Sequence, residues 1–306
     1  MNEESRIAAL NSQFSLLGMA RIVSGNGGLA MIQIGTGSAN AEIYLHGAQI
    51  TSWQPVKMSE VLFSSAKSHW RDGKAIRGGI PICFPWFRAK ADDPQAPSHG
   101  FVRTKEWKLE SISAAPDDAV CTRFSTGHDE TSRKWWPFEF RLGYAITVGR
   151  NLKLELTMEN TGRKDLKFEE ALHTYFKVGD VRLARVRGLD GSAYLDNRDE
   201  NREKQQQSEL ALTQQTDNAY RDATGAVEIV DPVLGRALRT EKKNSNSTIV
   251  WNPWSDGAAG MTDFGADEWQ TMLCVEGGNI MNSAVAVRSG EKHTMTVVIE
   301  ALPVRA

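Results

Sequence analysis

The chain has 306 residues, of which 41% are hydrophobic and 24% charged; this suits a soluble globular protein with a sizeable core and excludes disordered and fibrous classes. Its formal net charge of -2 supplies no global positive field to draw it to nucleic acid or to an anionic membrane, so any bound anion must be met by a local cluster. Residues 1–11 carry Glu3, Glu4 and Arg6 and lack the apolar core of a signal peptide, and no later run reaches the roughly 18 apolar residues of a membrane span. Cys83, Cys121 and Cys274 are far apart and odd in number, which reads as reduced, buried thiols in a cytoplasmic protein.

Near the start, Gly25-Asn26-Gly27-Gly28-Leu29-Ala30 fits the loose dinucleotide pattern G-x-G-x-x-A. That mechanism needs a helix to open there, whereas residues 30–34 read as a strand, so the glycines mark a turn. A further strand is predicted over residues 41–45. Residues 64–100 are irregular, crowded with Gly, Pro and aromatic side chains. Within them, Ile76-Arg77-Gly78-Gly79-Ile80-Pro81-Ile82-Cys83-Phe84-Pro85-Trp86-Phe87 sets a fixed cation beside aromatic surface. The glycines would let backbone approach a ligand and the prolines stiffen the loop. A rigid structural loop whose Arg77 pairs with a carboxylate fits equally well. Ser98-His99-Gly100-Phe101-Val102-Arg103 adds a histidine and a second arginine.

Strands follow at residues 107–112 and 120–124. From 138 to 148, Phe138, Phe140, Leu142, Tyr144, Ile146 and Val148 alternate with polar or small residues, and the alternation resumes with Leu152, Leu154, Leu156 and Met158, which predicts a hairpin. Residues 166–178 read as one strand. Leu166, Phe168, Leu172 and Phe176 form its apolar face, interrupted by Glu170, and His173 shares the opposite face with Ala171 and Tyr175. His173 is thereby directed away from the main core, as an active-site or a solvated surface histidine would be.

Residues 196–222 are polar and read as a loop excursion. Strands are predicted again at 249–251, 271–276, 284–288 and 294–301, the last two flanking the turn Ser289-Gly290-Glu291. Trp251-Asn252-Pro253-Trp254 offers aromatic faces for a sugar or simply for a core. Glu276 ends an apolar strand, where solvation at the strand end is the alternative to a functional carboxylate. Many short strands separated by turn residues, with no long amphipathic helix, indicate an all-β antiparallel sandwich or barrel.

No Walker loop, His-Glu-x-x-His or Gly-x-Ser-x-Gly element occurs, and the histidines at 46, 69, 99, 128, 173 and 293 show no metal-ligand spacing. No metal and no cofactor are therefore expected. Taken in order, His46-Gly47-Ala48-Gln49-Ile50-Thr51-Ser52-Trp53, the 76–87 and 98–103 segments, Trp136-Pro137, Leu172-His173-Thr174-Tyr175-Phe176, Thr216-Asp217-Asn218-Ala219-Tyr220, Trp251 to Trp254 and Cys274-Val275-Glu276 resemble the hexose-6-phosphate mutarotases, or glucose-6-phosphate 1-epimerases, of the aldose 1-epimerase superfamily. The resemblance implies one large antiparallel β-sandwich of the galactose mutarotase type over residues 1–306, with a phosphosugar on the concave face of a sheet. It also implies that His173 is the general acid toward the ring oxygen and Glu276 the base toward the anomeric hydroxyl, with Arg77, Ser98, His99, Arg103 and Asp217 around the substrate. The family commonly carries Asp-Arg where this chain has Asp217-Asn218, so a cationic contact is lost here or shifted to Arg221. A mutarotase for free aldoses and a non-catalytic carbohydrate-binding protein are the competing functions.

Overall fold

The structure, a computed structural model, describes residues 3–304; Met1, Asn2, Arg305 and Ala306 lie outside the described residues. The predicted hairpin forms the centre of one sheet, where Phe140–Val148 and Leu152–Asn160 pair antiparallel with Phe140 opposite Asn160 and Val148 opposite Leu152. Phe140, Leu142, Tyr144, Ile146 and Val148 are buried, as are Leu152, Leu154, Leu156 and Met158, because a period of two sends alternate side chains to one face. Across this eight-stranded sheet the order is Arg185–Arg187, Val227–Asp231, Arg236–Lys243, Lys292–Pro303, Leu152–Asn160, Phe140–Val148, Ala119–Gly127 and Lys108–Ala115.

The second eight-stranded sheet runs Arg202–Gln205, Ala193–Asp196, Thr216–Arg221, Ser247–Asn252, Met272–Asn279, Glu170–Leu172 and Ile82–Cys83, with Tyr175–Lys177 also pairing to Met272–Asn279. Neighbours in both sheets are antiparallel. A smaller sheet of Ala20–Ser24, Ala30–Gly35, Ala39–Tyr44 and Gln49–Pro55 lies at the N-terminal side of the chain. One apolar cluster runs from Ala20 to Ile299 and draws side chains from all three sheets. The architecture is the antiparallel β-sandwich expected from the alternation.

Several boundaries differ from the sequence reading. Residues 166–178 break into Leu166–Phe168, which pairs with Val285–Val287, then Glu170–Leu172 and Tyr175–Lys177, which join the second large sheet. The break falls where His173 N donates to Pro81 O and Thr174 N turns back to Leu172 O. The polar stretch 196–222 is not a loop excursion, since it contains Arg202–Gln205 and Thr216–Arg221. Arg202–Gln205 is an edge strand with charged, largely exposed side chains, a composition that discourages further strand pairing and erases the alternation signal. The Gly25 segment is a turn between strands: Gly25 N donates to Leu29 O, and Gly27 has φ 64° where a Cβ would fall 1.8 Å from Trp70 O. A 12-residue helix, Glu3–Phe14, precedes the first strand, and no helix among the described residues is long and apolar enough to cross a membrane.

Candidate active site

The site is built on one face of the second large sheet. Cys274 and Glu276 are two residues apart on Met272–Asn279 and so project to the same side. Trp251 lies opposite Cys274, Ile249 opposite Glu276, Asp217 opposite Trp251 and Tyr175 opposite Cys274, and directly opposed residues share a face. His173 stacks on Tyr175 with ring centroids 4.7 Å apart and an interplanar angle of 10°, and meets the Trp251 ring edge-on at 5.9 Å. Its Nδ1 stands 3.4 Å from Glu276 Oε1.

Burial decides between the sequence alternatives for both residues. His173 is 6% exposed and Glu276 1%, so neither is a solvated surface group. The strand continues past Glu276 to Asn279 with every residue buried, which replaces the expected strand end at 276 with a carboxyl in mid-sheet. Glu276 Oε1 and Oε2 and His173 Nδ1 have no hydrogen-bond partner among the described residues. Burial pushes the Glu276 carboxyl well above the usual carboxylate range and Asp217 adds to this, while Arg88 and Arg103 oppose it. Burial likewise holds His173 well below the usual imidazole value, reinforced by Arg103 and Arg77. Both shifts favour the uncharged forms, a protonated Glu276 carboxyl and a neutral His173 imidazole.

The other anticipated residues converge here unequally. Arg77 donates from Nη1 to Tyr175 OH at 2.9 Å and from Nε to Asp263 at 3.2 Å, so the carboxylate partner foreseen for a structural arginine is present beside the site. Among the described residues Arg103 donates only to the Ser98 carbonyl, at 3.0 Å, and its Nε is buried without a partner. The Ser98 side chain itself is exposed. His99 has φ 62° and packs edge-on against His173 at 5.5 Å. Asp217 accepts from Arg88 Nη2 and from Asn197 Nδ2, both at 2.6 Å.

Arg88, Asp263 and Asn197 were not anticipated, since each is joined to the site only by the fold. Arg88 has φ 63°, its N–H donates to His99 Nδ1, and its guanidinium pairs with Asp217. Tyr175 was visible as a neighbour of His173 on one strand face. Asn218 points to the opposite side, buried against Tyr220 OH, and Arg221 pairs with Glu203 at 2.5 Å. The cation beside Asp217 is therefore supplied by Arg88. Gly78 and Gly79 serve packing, because a Cβ at either would lie 2.4 Å from Ser64 Cα or 2.2 Å from Ile50 O. Where sequence spacing showed no metal-ligand cluster, folding brings one ligand atom each of His173, Cys274 and Glu276 within 4.8 Å of one another.

This arrangement places a carboxyl and an imidazole side by side among aromatic faces and arginines. Residues 30–300 match the family model described as aldose 1-epimerase. The chain belongs to the aldose 1-epimerase family. It is accordingly an isomerase of the mutarotase kind. A Cenchrus ciliaris protein provisionally named glucose-6-phosphate 1-epimerase is 33% identical over 294 residues, covering 93% of this chain and 88% of its own. A Salmonella typhimurium protein of the same provisional name is 32% identical, covering 81% and 82%. Among solved structures, a provisionally named mutarotase from Salmonella typhimurium superposes with a TM-score of 0.88 at 27% identity, covering 99% of this chain and 100% of that one. A galactose mutarotase-like protein of Clostridium acetobutylicum, 14% identical with a TM-score of 0.70 over 93% and 98% of the chains, shares the fold.

Proposed function

We propose that the protein interconverts the α and β anomers of a hexose 6-phosphate, glucose 6-phosphate foremost, by acid–base opening and closing of the ring at His173 and Glu276. The observation that carries this reading is the buried, unpartnered Glu276 carboxyl 3.4 Å from His173 Nδ1. Opening a cyclic hemiacetal needs a proton taken from the hydroxyl on C1 and one given to the ring oxygen. Both oxygens are bonded to C1, so neighbouring groups on one sheet face suffice, and neither a metal nor a cofactor enters the proton count.

Glu276 is the base and His173 the acid for ring opening, which requires the pair's single proton to reside on His173. Burial in the free site favours the proton on Glu276, and the two states differ only by transfer within the pair. A phosphate dianion bound at Arg77 and Arg103 cancels the positive field that depresses His173 and so favours the reactive state. Guanidinium groups bind phosphate with directional, charge-assisted bonds, which also aligns C1 with the pair. Asp217 accepts hydrogen bonds from ring hydroxyls, exchanging Arg88 or Asn197 for them. The three buried free cysteines support a cytoplasmic protein.

The test is exchange NMR of α and β glucose 6-phosphate. His173→Asn and Glu276→Gln preserve volume and should each slow catalysed exchange by about 10²-fold or more, with the thermal unfolding curve retained. A rate near wild type in either folded variant rejects the assignment. Equal rates on glucose and glucose 6-phosphate would instead identify a free-aldose mutarotase.

A further inference from the structure

The same sheet face carries a donor set that acid–base chemistry does not use in full. Cys274 has no part in either proton transfer, yet its Sγ, a His173 ring nitrogen and a Glu276 oxygen lie within 4.8 Å of one another, and all three residues are buried. Zinc(II) bound at about 2.0–2.3 Å to nitrogen, oxygen and sulfur in a tetrahedron sets neighbouring ligand atoms roughly 3.3–3.7 Å apart. The 3.4 Å between His173 Nδ1 and Glu276 Oε1 already matches one such edge. Both atoms lack hydrogen-bond partners, and the Cys274 thiol has only a weak contact, 3.7 Å to Met272 Sδ. No competing bond of consequence has to be broken for the three to turn toward a common centre.

The donor types select the ion. A thiolate with an imidazole is a poor set for magnesium or calcium, which take oxygen ligands, and a good one for zinc. A dipositive ion with one thiolate and one carboxylate is neutral overall, which suits ligands that are themselves buried. Three protein ligands leave a fourth position for water.

We infer that His173, Cys274 and Glu276 form an inhibitory zinc(II) site that overlaps the sugar site. Binding releases the Cys274 thiol proton, and the Glu276 proton where present, to solvent, and it occupies the two groups that would open the ring. The competition with sugar rests on the reading under "Proposed function"; the metal binding does not.

The experiment pairs zinc binding by calorimetry with exchange NMR of glucose 6-phosphate, on wild type and Cys274→Ala. Wild type should bind one zinc per chain, lose at least about tenfold of its exchange rate at saturation and recover it fully with EDTA. More glucose 6-phosphate should raise the half-inhibiting zinc concentration. Cys274→Ala should keep its zinc-free rate within about twofold while its zinc affinity falls by at least about tenfold, the scale of losing a metal-site contact. Cys274→Ser takes its place if the alanine variant fails to fold. No stoichiometric zinc on wild type, or equal affinity in the folded Cys274 variant, overturns the inference. Zinc binding through Cys274 in a protein that exchanges no anomers would leave the metal site standing and reject the reaction.

Discussion

Arg77 and Arg103 reach the site under different constraints, and this difference separates what their removal should do. Arg103 is held by a single carbonyl bond and has a buried, unpartnered Nε, so its loss leaves few groups unsatisfied. A hydrogen bond to a charged group contributes about 1.5 to 3 kcal/mol, so Arg103→Ala should lower kcat/KM for glucose 6-phosphate by roughly one to two powers of ten. Turnover of free glucose, which offers no phosphate, should change little. Arg77→Ala should show the same selectivity loss together with a lower melting temperature, because Asp263 and Tyr175 OH lose their donor. Anomerisation of both sugars, measured beside thermal unfolding, tests this; equal fractional losses on the two sugars would make the arginines structural. The identity of these residues was legible in sequence, as was the direction of His173. Their partners were not, because Asp263 lies 186 residues from Arg77 and no local periodicity reports such a separation.

The strand Met272–Asn279 carries two glycines where packing leaves little room for a side chain. A Cβ on Gly277 would lie 3.0 Å from Lys242 Cδ, and one on Gly278 would lie 2.6 Å from Glu170 O. Beyond them, Asn279 donates to Glu170 Oε1, which also meets His293 Nε2 at 2.8 Å. Glu170, which breaks the apolar face of its own strand, is thereby partnered through Oε1 in the interior, and sheet contacts shape the segment after Glu276. Lys242, on Arg236–Lys243, reaches under this strand and donates to Ala223 O, Ser247 O and Thr248 Oγ1, while burial pushes its ammonium down to about 7. The unfolded chain holds that proton up to the usual lysine range near 10.4. Between these values the unfolded state binds more protons, so stability should rise with pH from about 7 to about 10, while below 7 the cost of charging Lys242 is fully present and no longer varies with pH. Urea denaturation across that range should show the rise in wild type, and Lys242→Met should flatten it; an unchanged slope would remove Lys242 from the account.

At the scale of the whole molecule, we propose that the sandwich is one cooperative unit, because the cluster from Ala20 to Ile299 draws side chains from every sheet, the two-stranded one included through Leu166, Phe168 and Val287. Far- and near-ultraviolet circular dichroism should report one coincident melting transition; two separated transitions would divide the chain into independent parts. What the sequence by itself determined is the antiparallel all-β class, the central hairpin, and a motif order sufficient for the family, since a period of two and ordered short motifs are local properties. Only the tertiary structure decided that Glu276 lies buried in mid-strand, that Arg88 and not Arg221 faces Asp217, and that the edge strand Arg202–Gln205 exists at all. Each of these depends on what a neighbouring strand covers. Burial, orphaned polar atoms and ion pairs arise when distant segments exclude water from one another, and that exclusion is written in no single stretch of the chain.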